Sequence, residues 1–133
     1  MISVEGLVMP NKPLTNLEIL DAVRKLEIPR FRGVFVRDNL PVEPKRMECG
    51  VLNLDDTSGN GTHWVAWYAD NGKNYYFDSY GIQPPTELKS PIFYNTEQIQ
   101  PKQEVFCGHL CLYVLKQLSK TLAGNSKRFT LIL

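Results

Sequence analysis

From Cys107 to Leu118 the chain is apolar nearly all the way round a helix. Leu110, Cys111, Val114, Leu115 and Leu118 recur at helical spacing and draw one stripe, while Leu112 and Tyr113 fall off it. Such a helix is stable only when other elements enclose it, so the segment predicts a core helix with a sheet or further helices around it. Cys107-Gly108 stands at its start. Unpaired N–H groups and the positive end of the helix dipole there favour a thiolate over a thiol. Cys107 is therefore a candidate nucleophile, and the plain alternative is a buried helix-cap residue. Of the other two cysteines, Cys111 reads as a small buried hydrophobe one turn along, and Cys49 stands alone with no assigned role.

Composition narrows the setting. The 133 residues contain no repeats, low-complexity tracts or linkers, and predict one domain over 1–133 with a real core. A net charge of +1 makes no electrostatic case for nucleic acid or a membrane surface. No apolar run approaches the ~20 residues of a membrane span. The N-terminus lacks the basic-then-apolar order of a secretory signal, and an odd cysteine count fits a reducing compartment. These features predict a soluble, intracellular protein.

Along the chain, Met1 to Pro13 reads as an irregular arm. Thr15-Asn-Leu-Glu18 is a capping box, opening a helix with Leu17, Leu20, Val23 and Leu26 on one face and Pro29 closing it. Arg30 to Arg37 reads as a strand, followed by a loop carrying Pro41 and Pro44. Cys49 to Leu54 is a short apolar strand, and Asp55 to Gly61 a polar glycine-rich loop. Thr62 to Tyr68 and Asn74 to Asp78 form two strands dense in aromatic and β-branched residues. They are joined at Asn71-Gly72, which suits the positive φ of a type I′ turn. Thr86 to Asn95 looks irregular, and Ile99 opens a last short strand. Gly124-Asn125 signals a helix end, and Arg128 to Leu133 an edge strand.

The hairpin has a consequence for chemistry. With residues 70 and 73 paired, the register carries on to set Asp78 against Val65 and His63 against Tyr80. His63 and Asp78 then project from one face as diagonal neighbours, roughly 7–8 Å apart at the backbone and within reach of an imidazole–carboxylate hydrogen bond. A carboxylate on one ring nitrogen fixes the tautomer and frees the other nitrogen to take a proton from a thiol. Singly, each residue has a plainer reading, His63 as a hydrogen-bonded core residue and Asp78 as a turn cap.

Gly61-Thr-His-Trp64, Tyr76-Phe-Asp-Ser-Tyr-Gly81, Gln100 and Cys107-Gly108, in that order, resemble the adenain-like cysteine proteases. That group joins the adenovirus maturation protease, related proteins of viruses and large DNA transposons, and the SUMO-deconjugating proteases. The segment from Thr15 to Pro41 also resembles the lead-in of the viral and transposon members. The resemblance implies an α+β fold: a central mixed sheet carrying His63 and Asp78, with the Cys107 helix packed against it. It implies Cys107 as nucleophile, His63 as general base and acid, and Asp78 as orienting carboxylate. Gln100, seven residues before Cys107, would help form the oxyanion hole with the Cys107 backbone N–H, with Gln98 and Gln103 as competitors. Trp64 would line a narrow substrate cleft, unless it is a core aromatic. Gly108 would let substrate backbone approach the helix start. No metal or cofactor is implied.

The activity implied is that of a thiol endopeptidase processing viral or transposon structural precursors, cutting after small residues such as glycine. The alternatives are an isopeptidase acting on ubiquitin-like modifiers, or a non-catalytic binding or assembly module. The partner implied is a protein or polyprotein substrate, with a peptide activator left open, in the nucleus or cytoplasm of a host cell or in a virion. The chain is short for the group, which leaves little room for insertions that would build pockets or contact an activator.

Overall fold

Strand β5 (Trp64–Asp70) and strand β6 (Lys73–Phe77) form an antiparallel hairpin at the centre of the sheet. Its register is the expected one, with Asp70 opposite Lys73, Tyr68 opposite Tyr75 and Ala66 opposite Phe77. Asn71 takes a φ of 49°, as a two-residue hairpin turn requires. The computed structural model describes residues 2–39, 47–54, 63–71, 73–85, 92–99 and 106–123. Outside these lie the loop of Pro41 and Pro44, the 55–61 loop, Thr62, Gly72, the 86–91 connection, Gln100, Gln103, the Gly124-Asn125 helix end and the 128–133 strand.

Two further strands precede the hairpin, β3 (Phe31–Val36) and β4 (Met47–Asn53), and one follows it, β7 (Ile92–Tyr94). Among the described residues the order is β3-β4-β5-β6-β7. The β3/β4 and β6/β7 pairs are parallel and the two between them antiparallel, so the sheet is mixed. β7 corrects the irregular reading of the segment up to Asn95, since a three-residue edge strand leaves no periodicity to detect. Ile99 itself is in no strand, and its N–H donates to the Ser79 carbonyl at 2.7 Å; the rest of the short strand expected there lies outside the described residues.

Helix α1 (Asn16–Leu26) starts at the capping box, with the Thr15 hydroxyl accepting from the Glu18 N–H at 3.1 Å and the Glu18 carboxylate accepting from the Thr15 N–H at 2.9 Å. Its inward face keeps Val23 and Leu26 of the expected stripe but replaces Leu17 and Leu20. Ile19, Ala22, Val23 and Leu26 are buried, while Leu17 is 71% exposed and Leu20 41%. Both sets satisfy helical spacing, and packing against the rest of the core chose between them.

Helix α2 (Cys107–Ala123) lies against the sheet. Its Cys111, Leu112, Val114, Leu115 and Leu118 join Cys49, Val51, Ala66, Tyr68, Tyr75 and Phe77 from the sheet and the buried face of α1 in one core. Leu112, off the expected stripe, is fully buried and Leu110 only partly so. Each such buried aliphatic side chain contributes ~1.5–3 kcal/mol. The alternate residues Leu52, Val65, Trp67 and Tyr76 form a second cluster on the far face. Burial on both faces explains why β5 reads as a continuous apolar run rather than an alternation.

The N-terminal residues correct the reading as an arm. β1 (Ile2–Val4) and β2 (Leu7–Met9) make a small hairpin across Glu5 (φ 48°) and Gly6 (φ 85°). The hairpin buries Val4 and Met9 in the main core. It is tied to α2 by Glu5, which accepts from Gln117 and pairs with Lys120 at 3.2 Å, and by the buried His109, whose Nε2–H donates to the Pro10 carbonyl at 2.8 Å. Because these α2 partners lie 99 to 115 positions away, nothing local distinguishes this segment from a loop.

Candidate active site

The site forms where the central hairpin ends and α2 begins. His63 is the residue before β5 and Asp78 the residue after β6, so the register carried past the last ladder pair brings both to the same end of the sheet. His63 Nε2 lies 2.6 Å from Asp78 Oδ1, in a site where His63 is 6% exposed and Asp78 fully buried. The expected diagonal pair is therefore present.

Asp78 is held from several sides. Oδ1 also accepts from the Tyr80 N–H at 2.8 Å, and the Asp78 carbonyl accepts from the Gly81 N–H at 2.8 Å, which closes a tight turn. Asn95 clamps the same backbone: its Oδ1 accepts from the Asp78 N–H at 3.1 Å, and its Nδ2 donates to the Asp78 carbonyl at 2.7 Å and to that of Glu97 at 3.2 Å. Gly81 has a φ of +72°, and a Cβ there would sit 2.7 Å from the Thr96 carbonyl oxygen. Only glycine lets the turn and the Asn95–Glu97 segment approach this closely. Asn95 had no sequence signal, because an asparagine in an irregular stretch is commonplace.

Cys107 opens α2, as the sequence predicts, with the first helical bond running from the Leu110 N–H to the Phe106 carbonyl at 2.9 Å. The backbone N–H of Trp64, beside His63, points at the Cys107 sulfur across 3.5 Å. His63 Nδ1 is buried with no nitrogen or oxygen partner. The neighbouring thiol stops short of aligned hydrogen-bond geometry but lies close enough for each group to shift the other's titration. Burial disfavours a charged ring at His63, yet the hydrogen bond to Asp78, the nearby Cys107 sulfur and the charges of both outweigh it, and the pKa rises to about 9. Burial likewise pushes the Cys107 thiol up. His63, the Trp64 N–H and the Gly108 N–H overcome that push, and the pKa falls below the ordinary thiol value. Both shifts favour a thiolate–imidazolium pair.

The other cysteines behave differently. Burial raises Cys49 to about 12 and Cys111 well above the ordinary range. The Cys49 thiol faces the Pro29 carbonyl at 3.7 Å, and Cys111 is in the core.

Trp64 is half-buried against the main core, and its indole N–H donates to the Leu14 carbonyl at 2.8 Å. A Cβ on Gly108 would lie 3.2 Å from both Leu14 Cδ1 and Trp64 Cδ1, so the close approach this glycine permits is to its own protein. Gln100 lies outside the described residues; its competitor Gln98 is exposed. Tyr80, not singled out in the sequence beyond its register position, stacks on His63 with ring centroids 3.9 Å apart and planes 5° from parallel. Among the described residues no cluster of His, Cys, Asp and Glu suits a metal ion, and no helix is long and apolar enough to cross a membrane.

No protein-family model matches the chain, and no curated protein matches it. Among solved structures, the crystal structure of the ASFV pS273R protease is similar, with a TM-score of 0.55 at 19% sequence identity over 91% of this chain. The chain spans 64% of the length of that protease chain. The likeness is one of fold: α+β, with a central mixed sheet and the Cys107 helix packed against it, as in the adenain-like cysteine proteases.

Proposed function

We propose that this protein is a cysteine protease in which Cys107 is the nucleophile, His63 the general base and acid, and Asp78 the carboxylate that orients the imidazole. The observation that carries this reading is the position of one buried ring between a carboxylate 2.6 Å away and the one cysteine of three whose pKa is lowered. Similarity in fold to a structure named as a protease supports it.

In this reaction the Cys107 thiolate attacks the scissile carbonyl carbon and forms a carbon–sulfur bond. The carbonyl electron pair moves to oxygen, where the Cys107 backbone N–H, free of intrahelical bonding at the helix start, can donate to it. Gln100 is the proposed second donor, on its spacing from Cys107. The oxyanion then collapses, the carbon–nitrogen bond breaks, and His63 passes its proton to the departing amine. Water attacks the thioester while His63 takes up a proton, releasing a carboxylic acid and restoring the sulfur–imidazole pair.

The proposed substrates are structural precursor proteins of a virus or transposon, cut after a small residue; the resemblance in the motifs supports this class. Cys107→Ala should abolish peptide cleavage, and a peptide carrying a thiol-reactive group should label Cys107 in the wild-type protein. Undiminished cleavage by Cys107→Ala would exclude the mechanism, and an unlabelled wild-type thiol would point to a non-catalytic module. Cleavage of a ubiquitin-like C-terminal amide as fast as of a precursor-derived peptide would move the substrate class to conjugates.

A further inference from the structure

A hydrogen bond to Asp78 pins the His63 ring at one atom, Nε2, and leaves it free to rock about the line joining the two residues. Such rocking would swing Nδ1 towards and away from Cys107. The Tyr80 ring lies flat on the imidazole, 3.9 Å between centroids and 5° between planes, and a flat partner at that distance removes the rocking motion. Tyr80 is itself held by the acid: its N–H donates to Asp78 Oδ1, the oxygen that also faces His63 Nε2. One residue thus touches both members of the pair, by its backbone on one and its side chain on the other. Its position is imposed by the Asp78–Gly81 turn, which Asn95 braces.

We propose that Tyr80 is a positioning residue for the His63–Cys107 pair, its ring setting the plane of the imidazole and its π-face favouring the charged form. This rests on the cysteine-protease reading. The electrostatic part follows from the negative face of an aromatic ring, which attracts a cation seated on it. Asp78 and Cys107 are the titratable groups that act on both His63 and Tyr80, so Tyr80 adds to a charge balance already set by those two.

Peptide turnover and alkylation of Cys107 by iodoacetamide, both followed across the acid and alkaline limbs, test the proposal in wild type, Tyr80→Leu and Tyr80→Phe. Tyr80→Leu should lose about tenfold in kcat with little change in KM, the size expected for one cation–π contact. Its alkaline limb should move down by about one pH unit, and Tyr80→Phe should restore most of both. Replacement of Tyr80 by phenylalanines of increasing ring fluorination keeps the shape while draining the π-face. The alkaline limb should then fall stepwise, which keeps the test decisive even where Tyr80→Leu does not fold. An unchanged limb and kcat across the series would overturn the role of Tyr80. Tyr80→Phe as impaired as Tyr80→Leu would overturn it in favour of the hydroxyl. A wild-type Cys107 that alkylates only as an ordinary thiol would sink the protease reading itself, and the two failures are thereby distinguished.

Discussion

His63 and Asp78, fifteen positions apart, meet across 2.6 Å at one end of the central hairpin. The pairing follows from strand parity, because the register that sets Asp70 against Lys73 carries both side chains to the same face. A one-residue slip in the turn would send Asp78 to the other face and separate the two.

Asp78→Asn tests the carboxylate. The amide keeps the size of the side chain but loses the charge that favours an imidazolium, and it can seat the ring in the wrong tautomer. Peptide turnover should fall by about 10²-fold or more, within the range of a general acid–base contribution. Cys107 alkylation below neutral pH should fall with it. Retained alkylation in this variant would mean that Asp78 does not support the ion pair.

The pH dependence of turnover should be bell-shaped. Above about pH 9 His63 loses its proton, and with it the acid that the proposed mechanism assigns to the leaving amine. At low pH the Cys107 thiolate is protonated, and the acid limb should lie below the ordinary thiol pKa of ~8.5. As the groups are coupled, both limbs belong to the pair rather than to either residue.

Stability should respond to pH in opposite directions through the two histidines. The folded pKa of His63 is raised, so its contribution is complete below the ordinary value of 6.5 and disappears as pH rises through about 9. Burial lowers that of His109, so below 6.5 the unfolded chain binds a proton that the folded one resists, and stability falls as pH falls. Denaturant midpoints should show the His109 slope on the acid side; on the alkaline side the lowered folded pKa of Cys107 opposes the His63 slope, which should emerge only where Cys107 is replaced. His109→Gln, which keeps a donor for the Pro10 carbonyl, should flatten the acid side.

Asn95→Ala removes the clamp on the Asp78 backbone. It leaves the Asp78 N–H without its acceptor, at a cost of ~1–3 kcal/mol, whereas the carbonyl keeps the Gly81 N–H. We expect kcat to fall about tenfold, equivalent to ~1.4 kcal/mol, with KM little changed. Thermal unfolding beside single-turnover kinetics would separate loss of fold from loss of alignment, and a variant destabilised but fully active would deny Asn95 any part in alignment.

Two neighbouring positions on α1 test which face is inward. Ile19→Ala, at a fully buried site, should cost about 2–5 kcal/mol in denaturant unfolding. Leu17→Ala, at a site 71% exposed, should stay within about 0.5 kcal/mol. Equal losses would contradict the packing of α1.

The features legible in the residues alone were local and periodic. The capping box at Thr15 and Glu18, the alternation around the Asn71 turn, the shared face of His63 and Asp78, and the start of a buried helix at Cys107 each follow from the pattern of one helix or one hairpin. The remaining features arise from contacts between distant segments. Helical spacing allowed Leu17 and Leu20 as readily as Ile19 and Ala22, and packing of α1 into the common core resolved it. Nothing near Asn95 announces that it will grip Asp78, seventeen positions away. The N-terminal hairpin gains its place by docking on both helices, and Cys107 meets His63 because α2 packs across β5. Caps and strand parity arise from backbone geometry within one turn or one ladder, whereas the choice of face and the meeting of loops are set by which apolar surfaces can be buried together, a property of the whole chain.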